Sequence, residues 1–160
     1  MIKDSGARRK FDTGAERDIA EGKGRCDLLP LDVVSNTVDS MVLNHINDYV
    51  RCGDVLSLYD AIIGFSEQEM NWDIYTAMIE ASKHYEVGAK KYDERNWEKG
   101  MPVHCFIDSG VRHYLKWRRG DTDEPHDRAF LFNILGAIWT HTNKPEMIDL
   151  PFKNKEENYE

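Results

Sequence analysis

The sequence predicts an all-α protein, a helical bundle preceded by an irregular N-terminal arm. Apolar residues recur at 3.6-residue spacing in separate stretches. Start and stop residues bracket those stretches. No stretch alternates apolar and polar residues convincingly enough for a sheet, and no internal repeat is present. The 160 residues suit one domain with an added arm. We divide them into an arm over 1–30, a single helical domain over 31–142 and a polar tail over 143–160.

The arm, "DTGAERDIAEGKGRCDLLP", is polar and glycine-bearing, and its composition fits an ordered loop or a disordered leader equally. Residues 31–52 carry Val34, Val38, Met41, Val42, Ile46, Tyr49 and Val50 at helical spacing, which predicts one amphipathic helix stopped by Gly53. "DVLSLYDAII" follows as a short helix ended by Gly64. Ser66, with Glu69 three residues on, reads as a capping box. With the stripe Met70, Ile74, Ala77, Met78, Ala81, Tyr85 and Ala89, it predicts a helix from about Glu67 to about Tyr92. A loop over Asp93–Pro102 leads to "VHCFIDSGVRHYLKWRRG", a strong helix with Gly120 placed to terminate it. Pro125 suits the first helical position of "HDRAFLFNILGAIWTH", which is apolar enough to be central. Pro145 bounds that helix, and the tail "FKNKEENYE" is expected to fray.

Bulk properties exclude several function classes. Hydrophobic residues at 41% and charged residues at 31% favour a packed core over disorder. A net charge of -8 argues against gripping duplex nucleic acid through its phosphates. No apolar run approaches the ~20 residues of a membrane span. The first residues lack the apolar segment of a signal peptide. Three cysteines without a CxxC indicate neither a disulfide frame nor a zinc ribbon, and a reducing, cytoplasmic setting is expected.

Four constellations carry possible chemistry. In "EVGAKKYDERNWEKG", Glu86 and Lys90 have the spacing of an ordinary stabilising helix pair, and Lys90 and Lys91 suit a helix C-terminus. Arg95, Asn96 and Trp97 are less easily explained that way, because a loop tryptophan needs something to stack on. In "GDTDEPHD", Asp121, Asp123, Glu124 and Asp127 suit a helix N-terminus, yet four close carboxylates also invite a hard divalent cation. Asp108 and Arg112 are four apart, an ion pair unless Arg112 grips a phosphate beside His113. His126 and Asn133 share an inward helix face, where they either satisfy neighbours or line a cavity.

The segments Thr13–Pro30, "EVGAKKYDERNWEKG", "DSGVRH" and "DEPHDRAFLFN", in that order, resemble the phage-associated dATP/dGTP diphosphohydrolase family, relatives of the MazG-like all-α nucleoside triphosphate pyrophosphohydrolases. The resemblance covers 13–30 and 79–142 and leaves 33–72 as a variable segment. It implies an oligomeric helical bundle, a homodimer or homotetramer, with 31–142 as its catalytic domain. It implies Mg2+ or Mn2+ and cleavage of a deoxypurine nucleoside triphosphate to the monophosphate and pyrophosphate. In phages that replace adenine by 2-aminoadenine, such enzymes supply dGMP. The related ExxE signature is absent, since Ala89 follows Glu86 and Lys83 follows Glu80 at the third position.

On this reading Glu86, Asp123, Glu124 and Asp127 are metal ligands, with Asp108 in reserve, and Glu86, Glu124 and His126 are catalytic. Lys90, Lys91, Arg95, Arg112 and His113 face the phosphates, Trp97 stacks on the purine, and Asn96 or Asn133 reads its edge. Two alternatives stand beside it. His126-Asp127 is the dipeptide of the HD phosphohydrolases, for which His84, His104 and Asp149 would complete the ligands at a short downstream distance. A non-catalytic helical module binding nucleotide or a partner protein would use the same cations and aromatic.

Overall fold

The computed structural model describes residues 6–156 of the chain. The outermost parts of the arm and of the tail lie outside the described residues. Two short strands, β1 (Arg8–Lys10) and β2 (Glu16–Asp18), make an antiparallel hairpin in which Arg8 faces Asp18, Arg9 faces Arg17 and Lys10 faces Glu16. The helices of the described residues are α1 (Leu31–Thr37), α2 (Met41–Cys52), α3 (Val55–Ile63), α4 (Ile74–Lys91), α5 (Val103–Arg119), α6 (His126–Asn143) and α7 (Pro151–Glu156). The fold is all-α apart from that hairpin.

The antiparallel pair α5–α6 is the spine, and α4 and α3 pack against α6. Helix α6 buries Phe130, Leu131, Ile134, Ala137 and Ile138, which point in several directions, so it sits at the centre as its composition predicts. Glycines let the spine close. A Cβ on Gly136 would come within 2.7 Å of Phe106 Cδ1, and one on Gly110 within 3.1 Å of Ile134 Cδ1. Helix α5 ends where expected, at Gly120 with φ 89°.

Five expectations are corrected. The helix expected over 31–52 is two helices. Asp39 takes a left-handed φ of 51°, and Ser40 then caps α2 by accepting from Leu43 N at 3.1 Å while meeting Tyr114 Oη at 2.6 Å. The Ser66–Glu69 capping box starts no helix. Those residues lie in a π-helical turn, Gly64–Glu69, that continues α3 and turns Phe65 against Trp117 and Phe130. Glu69 instead accepts from Tyr114 Oη at 2.8 Å and Arg118 Nη1 at 2.9 Å. The cap of α4 is Asp73, which accepts from Thr76 N at 2.9 Å, so that helix begins several residues late. Pro125 precedes α6 in the cap position, one residue before its expected place. In the tail, Leu150 and Phe152 belong to the core, and the Phe152 ring closes on Gly53, where a Cβ would lie 2.7 Å from it. The arm is likewise more than a loop, being a hairpin followed by a short 3₁₀ turn, Cys26–Leu28, packed on α5.

Candidate active site

A cleft of about 1220 Å³ opens between the hairpin, α4, α5 and the start of α6. Its arm side is built on an unfavourable pair. Arg9 and Arg17 face one another across the hairpin, both line the cleft, and like charges in that register repel. Arg17 lies over the Phe106 ring at 5.0 Å and donates through Nη2 to Asn133 Oδ1 at 2.6 Å. Burial lowers the Arg17 pKa, against an opposing pull from Cys105. Arg9 Nε, Arg17 Nη1, Arg112 Nε and His84 Nδ1 are buried without a hydrogen-bond partner, and all four residues line this cleft. Each such group costs about 1–3 kcal/mol, and more when charged. Burial, reinforced by Arg17, Lys91 and Arg128, pushes the His84 pKa down to about 4, so its ring is neutral near pH 7.

The structure brings most of the predicted residues to this cleft. Glu86, Lys90, Lys91 and Arg95 line it, as do Asn96, Trp97, Arg112 and His113, and so do Asp123, Glu124 and Asn133. Several are engaged in holding the arm. Asn96 accepts from Glu16 N and donates to Glu16 O, both at 2.8 Å, so its amide is not available to read a base. Asn133 holds Arg17 and donates to Ala129 O at 2.8 Å. Lys91 pairs with Asp18 at 2.6 Å, and Tyr92 Oη donates to the same carboxylate at 3.0 Å. Arg95, in a left-handed conformation with φ 57°, reaches Glu98 at 3.4 Å. Trp97 meets Tyr85 and Trp139 edge-on at 5.8 and 5.1 Å, and Tyr85 leans on Phe132 at 4.7 Å. These rings form an aromatic wall beside the cations.

Asp108 and Asp127 do not line the cleft. Asp108 is buried and accepts from Arg112 Nη2 at 2.6 Å and from Cys26 N at 2.7 Å. Arg112 also donates to Gly24 O at 2.8 Å, so this pair clamps the arm onto α5. Asp127 accepts from Arg128 N at 2.8 Å. His126 is buried just behind the lining. Its Nδ1 lies 2.8 Å from His113 Nδ1, and its Nε2 lies 2.8 Å from Asp123 Oδ1.

Among the described residues, donor atoms able to share one ion come from two groups, His113 with Glu124 and His126, and Asp121 with Asp123 and His126. Glu86 and Asp127 belong to neither group among the described residues. Asp121 is held by Arg119 in a two-point ion pair. In the first group His113 and Glu124 line the cleft and His126 lies behind them, two imidazoles and one carboxylate, a set that suits Mn2+ better than Mg2+. Among the described residues, His84, His104 and Asp149 do not join His126 and Asp127 around a common point. His104 pairs instead with Asp149.

Residues 66–150, more than half of the chain, match the family model described as dATP/dGTP diphosphohydrolase, N-terminal. The chain belongs to the dATP/dGTP diphosphohydrolase family. No curated protein and no solved structure gave a match. The diphosphohydrolase match spans α4, α5 and α6. The arm, including 13–30, lies outside the matched residues. Sequence reasoning missed Arg9, Arg17, Lys23 and Lys116, which also line the cleft. The cationic run "ARRK" was a signal for Arg9, whereas nothing in the sequence marked Arg17, Lys23 or Lys116.

Proposed function

We propose that this diphosphohydrolase cleaves dGTP or dATP between the α- and β-phosphates, releasing the monophosphate and pyrophosphate. The observation that carries this reading is that Arg9, Arg17 and Arg112, three residues lining one cleft, each hold a buried guanidinium N–H without a partner. A polyanion in the cleft would offset the Arg9–Arg17 repulsion and, with small side-chain shifts, offer these groups acceptors. The carboxylates of Glu86 and Glu124 in the same cleft would repel a bare anion. A triphosphate bridged to a divalent ion meets both charges.

The residues divide the work as follows. Arg9, Arg17 and Arg112 hold phosphate oxygens, with Lys90 at the rim. Tyr85, Trp97 and Phe132 offer the wall against which a purine rests. Asn96, Asn133 and Asp18 position the arm. Glu86, exposed in the cleft, holds a water or an ion-bridged phosphate. Mn2+ would be held by His113, Glu124 and His126, and when bound it supplies charge neutralisation on the phosphates and a lowered water pKa.

Incubation with Mn2+ or Mg2+ and each of dGTP, dATP, dCTP and dTTP, with products resolved by chromatography, tests the reading. We expect dGMP or dAMP with pyrophosphate. Release of deoxynucleoside and triphosphate would favour the HD reading, and absence of turnover would favour a binding module. We extend the reading to supply of dGMP for 2-aminoadenine nucleotides in a phage, in its host's cytoplasm, on the resemblance alone. A homodimer or homotetramer is supported by α4, which exposes Tyr75 and Ile79, and by Leu56, Tyr59 and Ile63 exposed on α3. No helix of the described residues is long and apolar enough to cross a membrane.

A further inference from the structure

We propose that His113, Glu124 and His126 hold one first-row transition-metal ion, Mn2+ or a heavier neighbour, in preference to Mg2+, and that Asp123 is the positioning residue of that site. The proposal deepens the reaction above by naming the ion and its ligands. It rests on that reading only for the use to which the ion is put.

One donor atom from each of the three residues lies within 4.8 Å of the others. The approach of the two imidazoles is the informative part. Their Nδ1 atoms are 2.8 Å apart. That is a hydrogen bond, in which His113 Nδ1–H donates to His126 Nδ1. Two nitrogens each about 2.1 Å from one ion, at right angles, would lie about 3.0 Å apart, so an ion can replace the shared proton with little movement of the rings.

The other side of His126 supports the same assignment. Its Nε2 donates to Asp123 Oδ1 at 2.8 Å, which fixes the tautomer and leaves the Nδ1 lone pair directed at His113. His126 is 2% exposed, so its ring has no alternative solvent partner. Asp123 therefore acts through His126, and the imidazole carries the contact to the ion.

Electrostatics decide whether a cation is tolerated here. His126 is the first residue of α6, whose N-terminus carries roughly half a positive charge. Asp121, Asp123, Glu124 and Asp127 surround it in sequence, more negative charge than the helix end requires. Arg119 pairs with Asp121, and Lys116 lies close enough to act on Asp123. The donor chemistry then selects the ion. Imidazole suits the transition metals, whereas Mg2+ prefers oxygen and retains its waters.

The test uses the full chain, stripped by chelator, without nucleotide. Co2+ is titrated by visible absorption, and Mn2+ and Mg2+ by calorimetry. We expect one ion per chain, Co2+ absorption bands of a nitrogen-ligated ion, and Mn2+ at least about tenfold tighter than Mg2+. His126→Asn, His113→Asn and Glu124→Gln should each abolish the bands or weaken binding severely. Asp123→Asn should weaken binding by about tenfold or more while keeping the bands. Because His126 is buried, the cleft-side variants His113→Asn and Glu124→Gln are judged in chains whose circular dichroism is unchanged. Unaltered Co2+ binding in those two variants, or Mg2+ binding as tight as Mn2+, overturns the site. Loss of ion binding with triphosphate turnover retained would strike this proposal alone. Ion binding without turnover would strike the reaction and leave the site standing.

Discussion

Arg17 concentrates the chemistry of the cleft in one side chain, held by Asn133 and the Phe106 ring while leaving Nη1 unpartnered. Arg17→Gln is expected to raise KM for the triphosphate by about tenfold or more, the loss of one charge-assisted bond of about 1.5–3 kcal/mol. Steady-state kinetics at fixed Mn2+ measures it, and an unchanged KM would remove Arg17 from the phosphate site. Gly136 is the corresponding packing residue. Gly136→Ala forces a methyl against Phe106 and should destabilise the fold by about 1–3 kcal/mol, read from the urea midpoint. Neither role was legible in the sequence. A lone arginine in a polar arm carries no mark of the strand opposite it, and a glycine inside a helical pattern does not reveal which ring it admits.

The hairpin is the element on which the cleft depends, and Asn96 is its principal tie through two bonds to Glu16. Asn96→Ala should accelerate amide exchange across 8–18 and raise KM, while amides of α5 and α6 keep their protection. Equal exchange in variant and wild type would show that the arm is held elsewhere. Helices α5 and α6 could be read directly, because Gly120, Pro125 and Pro145 punctuate strong apolar patterns. The break between α1 and α2 could not. Apolar spacing runs through Val34, Val38 and Val42 without interruption, and the turn depends on Asp39 accepting a left-handed backbone. The capping box at Ser66 misled for a related reason. Its local pattern was sound, but Phe65 anchors the segment in the core and extends α3 through it.

Across the whole molecule, the His104–Asp149 pair ties the C-terminal segment to α5, reinforced by His104 N donating to Asp149 Oδ1 at 3.0 Å. The bond to Asp149 and the contact with Cys105 raise the His104 pKa from 6.5 to about 10. Burial alone would raise the Asp149 pKa, but its bonds with His104 hold it below 3.8. A raised histidine pKa stabilises the fold fully below 6.5 and loses that contribution as pH rises to about 10. The stability advantage of the wild type over Asp149→Asn should therefore shrink between pH 6.5 and pH 10, as chemical denaturation at several pH values would show. A constant difference would mean that the pair does not titrate. At this scale the all-α architecture was legible from periodicity, whereas the cleft was not. Its walls come from segments far apart in the chain, and only folding sets Arg17 beside Asn133.

The arm is fastened mainly by polar contacts, with Ala15 its one fully buried apolar side chain among the described residues. Phe11 in the hairpin packs partly buried against the core, as do Cys26 and Leu29 farther along. Lifting the hairpin alone would uncover chiefly Ala15 and part of Phe11, so its release should carry a small heat-capacity change and a shallow dependence on urea. Salt is different, because it screens charge contacts over about 8–10 Å at ordinary ionic strength. Ionic strength and the concentration of the anionic ligand, more than temperature, should therefore set how much of the time the cleft has its second wall.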